Sequence, residues 1–179
     1  MWTVNAWLHN DDCSSRNTLD MWVTENGRSF VRHYFLDFSG TLGAASVTKH
    51  SYRSGHEYLV DYGVATWSLV TPRSRAPAMG AGCRPEIPSY GFFDSATFDP
   101  ESWRPFLPNA AFDARTERDI RWGARIVAGF DEALIRAAVK RGKCYDPRAE
   151  ELLVKTLLER RDMIVREWLP ETTAASPSK

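Results

Sequence analysis

The alternation of apolar and polar positions changes its period along the chain. Near the start, Leu19-Asp20-Met21-Trp22-Val23 and Phe30-Val31-Arg32-His33-Tyr34-Phe35 are short runs rich in β-branched and aromatic residues, and they flank Thr24-Glu25-Asn26-Gly27-Arg28-Ser29. Asn-Gly tolerates the positive φ angles of a tight two-residue turn, so this stretch predicts a β-hairpin. A turn centred on Asn26-Gly27 sets Asn17 opposite Leu36, or opposite Asp37 if the far side of the loop is one residue longer. From Ala44 to Val70 the pattern reads as mixed strand and loop, with His56-Glu57-Tyr58-Leu59-Val60-Asp61-Tyr62 as the best further strand.

From Thr116 the period becomes helical. Thr116-Glu117-Arg118-Asp119 is close to a capping box, and Ile120, Trp122, Ile126, Val127 and Phe130 are expected to form the apolar side of a first helix. A second helix is predicted from Asp131 to Arg141, capped by Asp131 and stopped by Gly142. A third opens with Asp146-Pro147 and carries Leu153, Leu157, Ile164 and Trp168 as one stripe up to Pro170. Arg160-Arg161 on that helix reads as a solvated or salt-bridging pair. Between hairpin and helices, seven of the ten prolines fall from Pro72 to Pro108, which excludes long helices there. Tyr90, Phe92, Phe93, Phe98, Trp103 and Phe106 are expected to pack this irregular connector. The architecture predicted is α+β: one domain over residues 1–170, with a hairpin, short strands, an irregular segment and about three C-terminal helices. A disordered tail is expected at residues 171–179.

Composition narrows the partners. The chain has 179 residues, 43% hydrophobic and 26% charged, with 23 basic and 23 acidic side chains, so no net charge draws it to nucleic acid or an anionic membrane. No apolar run has the length of a transmembrane helix, and the N-terminal sequence lacks the basic start and apolar core of a signal peptide. Cys13, Cys83 and Cys144 lack metal-ligand spacing, which predicts reduced structural thiols.

The candidate chemistry sits on either side of the hairpin. His9-Asn10-Asp11-Asp12-Cys13-Ser14-Ser15-Arg16-Asn17 is followed by Asp37-Phe38-Ser39-Gly40. An Asp, four residues, an Asn and then an Asp-Phe-x-Gly is the order in which kinase-type phosphotransferases present a base and two metal ligands. A carboxylate orients or deprotonates the acceptor, and hard oxygen donors hold Mg²⁺ on the nucleotide phosphates. Asp12 fits the catalytic role, with Asp11 as an alternative base, and Asn17 and Asp37 fit the metal and cofactor roles. His9 and His33 are read as supporting residues.

The run Arg32 to Gly43, with its Asp37-Phe38-Ser39-Gly40-Thr41-Leu42-Gly43, resembles the metal-binding segment of phosphoinositide kinases and of the HipA-like and CotH-like atypical kinases. Over nearly its whole length the chain also resembles the C-terminal part of a family of uncharacterised bacterial proteins. That resemblance rests on Trp7-Leu8, Asp12-Cys13, Asn17-Thr18-Leu19-Asp20, Asp37 to Gly43 and Arg160-Arg161-Asp162. The kinase resemblance implies a C-terminal lobe using Mg²⁺ and ATP, with Asp12 as the catalytic-loop Asp and Asn17 and Asp37 as metal ligands. Two positions depart from it: Ser39 follows Phe38 where Gly is expected, and His9 precedes Asp12 by three residues instead of two. Only 11 residues stand ahead of Asp12, so the phosphate-covering lobe of a full kinase is expected to be missing and the chain to be inactive alone. Two other classes draw on the same residues: a non-catalytic binding or scaffold module that keeps the fold, and a metal-dependent hydrolase using Asp11, Asp12, Asp37 and a His.

Overall fold

A computed structural model of the chain describes residues 1–58, 87, 90–144 and 146–170. Its order is α1 (Trp2–Leu8), one 3-10 turn at Ser15–Asn17, β1 (Thr18–Glu25), β2 (Arg28–Phe35), the two-residue strands β3 (Ala44–Ala45) and β4 (Thr48–Lys49), then α2 (Ala110–Asp113), α3 (Glu117–Ala128), α4 (Glu132–Arg141) and α5 (Pro147–Trp168). The fold is α+β, with two small antiparallel hairpin sheets set beside a helical body.

The helical body is built around its shortest long-range element. Helix α1 is buried at Trp2, Thr3, Asn5, Ala6 and Trp7, leaving little of its surface for water. Helices α3 and α5 both pack on it. A Cβ added at Gly123 in α3 would lie 2.8 Å from the Thr3 Cβ, so α1 and α3 approach at a distance only glycine permits. Thr3 Oγ1 donates to the Ile120 carbonyl (3.1 Å), and Trp7 Nε1 donates to the Leu157 carbonyl of α5 (2.9 Å). These ties bring residues more than a hundred positions apart into one core with Phe93, Phe98, Trp103, Phe112, Val127, Ile135 and Leu153.

The hairpin forms as its Asn-Gly turn predicts: Asn26 and Gly27 take φ of 52° and 73°, and Thr18 pairs with Phe35 at the open end. The caps also form as predicted. Thr116 and Asp119 make a reciprocal capping box, Asp131 caps α4 against Leu134 N–H, Gly142 follows its last turn, and Asp146 caps α5 with Pro147 in its first turn.

Three expectations are corrected. Of the side expected for α3, Ile120, Val127 and Phe130 pack on the core, but Trp122 and Ile126 are exposed and Gly123 and Ala124 are buried in their place, because the close approach of α1 excludes large side chains. Arg160 lies on no solvated face; it is 2% exposed and makes no ion pair among the described residues. His56 lies in a turn, Glu57 in a bend and Tyr58 in no regular element, so no strand runs through them; residues 59–62 of the strand expected at 56–62 lie outside the described residues. Of the irregular connector's rings, Phe93, Phe98 and Trp103 are buried and Phe106 is exposed. Cys13 and Cys144 are free thiols, as expected, whereas Cys83 and the tail 171–179 are outside the described residues. Among the described residues no helix is long and apolar enough to cross a membrane.

Candidate functional site

The site is laid down where α1 ends. His9 closes the helix in the left-handed conformation (φ 55°, ψ 41°), and the N–H of Asn10 returns to the Asn5 carbonyl, so the chain leaves the helix abruptly and carries Asn10, Asp11 and Asp12 across its end. The fully buried Asn10 donates its amide both to Asn5 Oδ1 (3.0 Å) and to the main-chain carbonyl of Asp37 (3.4 Å). Gly40 completes this meeting of segments. A Cβ there would stand 3.3 Å from the Asp12 Cβ, 3.5 Å from Asp11 Oδ1 and 3.6 Å from Asn10 Oδ1, so the Asp37–Gly40 turn rests directly on the Asn10–Asp12 loop.

Asn17 is fixed from both sides. Its side-chain amide donates to the Asp12 carbonyl at 2.7 Å, and its own carbonyl accepts from Leu36 N–H at 2.9 Å, so Asn17 stands opposite Leu36 and one residue from Asp37. With the nitrogen engaged, the oxygen of the amide is the atom left to meet a ligand. Asp37 folds back on its own turn, its Oδ1 accepting from Ser39 N–H at 2.7 Å. That hydrogen bond holds the Asp37 carboxyl below the ordinary carboxylate range. The Asp12 carboxylate is half-buried and has no hydrogen-bond partner among the described residues. The two motif segments thus meet at the open end of the hairpin.

A second constellation lies on the buried side of the same loop. His9, Asp11 and His50 bring their ligating atoms within 4.8 Å of one another, and among the described residues they are the one such group of three His, Cys, Asp or Glu side chains. His50 Nε2 stands 3.0 Å from Asp11 Oδ1, with His9 and His50 ring centroids 4.8 Å apart. Burial, and next the Arg160 guanidinium, hold the His9 imidazole well below its ordinary protonation range. His50 escaped the sequence reading because no local spacing marks it. It reaches the site through a turn in which its N–H bonds the Gly43 carbonyl (2.8 Å), a contact set by the short β3–β4 pair.

No family model, curated protein or solved structure matches this chain. The functional reading rests on the residues and their arrangement.

Proposed function

We propose that this chain is the C-terminal, helical lobe of a kinase-like phosphotransferase that uses Mg²⁺ and ATP. The observation that supports it is the clasp in which Asn17 bonds the Asp12 carbonyl while Asn10 and Gly40 hold the Asp37 segment against the same loop. Base, amide and metal carboxylate then occupy one edge although 25 residues separate Asp12 from Asp37. In this reading Asp12 receives or orients the proton of an acceptor hydroxyl, its carboxylate having no competing hydrogen bond among the described residues. Asn17 Oδ1 and the Asp37 carboxylate are hard oxygen donors of the kind that suits Mg²⁺, and they would hold it. The bound ion would neutralise charge on the nucleotide phosphates. Ser39, where the resembled motif has glycine, contributes its N–H to Asp37 and keeps that carboxylate ionised and turned.

Such transfer depends on positioning and on electrostatic stabilisation, and one such donor is worth about 10²–10³ in rate. Phosphoryl transfer by these 179 residues alone is therefore expected to stay below detection. The direct test is Mn²⁺ titration followed by NMR. Signals of Asp12, Asn17 and Asp37 should broaden first, and Asp37→Ala should abolish that broadening. Unchanged broadening at Asp12 and Asn17 in the Asp37→Ala variant would overturn the reading.

A further inference from the structure

We infer that His9, Asp11 and His50 form a buried site for a divalent transition ion, zinc foremost, that ties the loop after α1 to the segment after β4. All three side chains are withdrawn from water: His9 and Asp11 are 6% exposed and His50 is 3% exposed. Three of the four imidazole nitrogens are left without partners among the described residues. His9 Nε2, His50 Nδ1 and His50 Nε2 have no hydrogen bond among the described residues, and neither has the neighbouring Asn10 Oδ1. A buried polar atom in that condition costs about 1–3 kcal/mol, so several at one point call for an occupant.

The geometry favours a cation over a water. The 3.0 Å approach of His50 Nε2 to Asp11 Oδ1 is short enough for a hydrogen bond yet misaligned for one. Two ligands that share one zinc at about 2.0–2.1 Å from it stand roughly 3–3.5 Å apart and point at the ion, not at each other. The third ligand atom lies within 4.8 Å, a gap closed by small rotations of the side chains. Two imidazoles with one carboxylate are a borderline donor set, matched to zinc and its neighbours and poorly matched to Mg²⁺. Arg160 Nη2 comes to 3.5 Å from His9 Nδ1, at the outer limit of a hydrogen bond, which leaves His9 Nε2 as the ring atom without a partner among the described residues. The site is thus distinct in chemistry from the Asp12, Asn17 and Asp37 edge, although it shares the loop that carries them.

The test uses tag-free wild-type chain. Zinc measured by elemental analysis after dialysis should approach one per chain, added Zn²⁺ should raise the thermal midpoint, and Co²⁺ should give visible ligand-field bands. His50→Ala and the near-isosteric Asp11→Asn should each weaken Zn²⁺ at least about ten-fold. Asp37→Ala and His33→Ala should keep full affinity, His33 controlling for the exposed His33–Asp20 pair. Folded wild-type protein that takes up neither Zn²⁺ nor Co²⁺ would overturn the inference. So would Asp11→Asn protein that binds zinc as tightly as wild type. Loss of the Mn²⁺ effect in Asp37→Ala with zinc retained keeps this inference separate from the phosphotransferase reading.

Discussion

Arg160 shows what one side chain does in this core. Its guanidinium donates to the Ala6, Trp7 and Asp94 carbonyls, and it lies over the rings of Phe93 and Phe98, 4.8 and 3.7 Å from their centroids. It therefore satisfies the Trp7 carbonyl at the buried end of α1 and shares the Ala6 carbonyl with the His9 N–H. Burial pushes its pKa down to about 9, so it is still charged at neutral pH. Only a planar fork reaches separate carbonyls while stacking on rings, so Arg160→Lys should forfeit at least one charged hydrogen bond and lose about 1.5–3 kcal/mol in urea unfolding. Two glycines make a paired test at the same scale. Gly27 and Gly55 have φ of +73° and +82°, but a Cβ at Gly27 meets open space, whereas one at Gly55 would lie 2.6 Å from His9 Cε1 and 2.9 Å from Trp103 Nε1. Gly27→Ala should cost about 1–2 kcal/mol from backbone strain alone. Gly55→Ala adds overpacking and should cost about 2–5 kcal/mol, read as the difference between the two urea midpoints.

At the scale of elements, the signals that are local in sequence were the legible ones. The Asn26-Gly27 turn, the Thr116 box, the Asp131 and Asp146 caps and the Gly142 stop each depend on residues within a few positions, and each forms. The turn left Asn17 opposite Leu36 or Asp37, and the pairing of Thr18 with Phe35 selects Leu36. The inward side of α3 was legible only in part: Ile120, Val127 and Phe130 pack on the core as expected, but the seat at Gly123 and Ala124 is chosen by α1 from more than a hundred residues away through Thr3. His50 and Arg160 were hidden for the same reason: their surroundings come from other parts of the chain. The cap of α3 is open to measurement. Thr116→Ala should destabilise the protein by about 0.5–2 kcal/mol in thermal or urea unfolding. Asp119, the reciprocal partner, has its carboxyl pKa lowered from 3.8 chiefly by the Thr116 hydroxyl and N–H. A depressed carboxyl stabilises above its unfolded pKa, so this contribution is full at neutral pH and fades as pH falls through 3.8 and below. Asp119→Asn should flatten the stability profile in that acid window and leave its shape above pH 5 unaltered, aside from a uniform offset.

For the molecule as a whole, the governing contacts join its two ends. Trp7 meets Leu157 across 150 positions, and Ala6 meets Arg160 across 154. A chain ending at residue 144, without α5, is expected to show no cooperative urea transition by circular dichroism, since Trp7, Ala6 and the α1 terminus would lose their cover. Contacts this distant also dictate an order of events during synthesis. A ribosome working at about 5–20 residues per second takes roughly 8–30 s to pass from Ala6 to Arg160, and α1 must wait that long for its partner. Through that interval Trp2 and Trp7 stand uncovered on the nascent chain, a natural foothold for a chaperone. The loop that carries His9 to Asp12 acquires its shape only once Arg160 has been made.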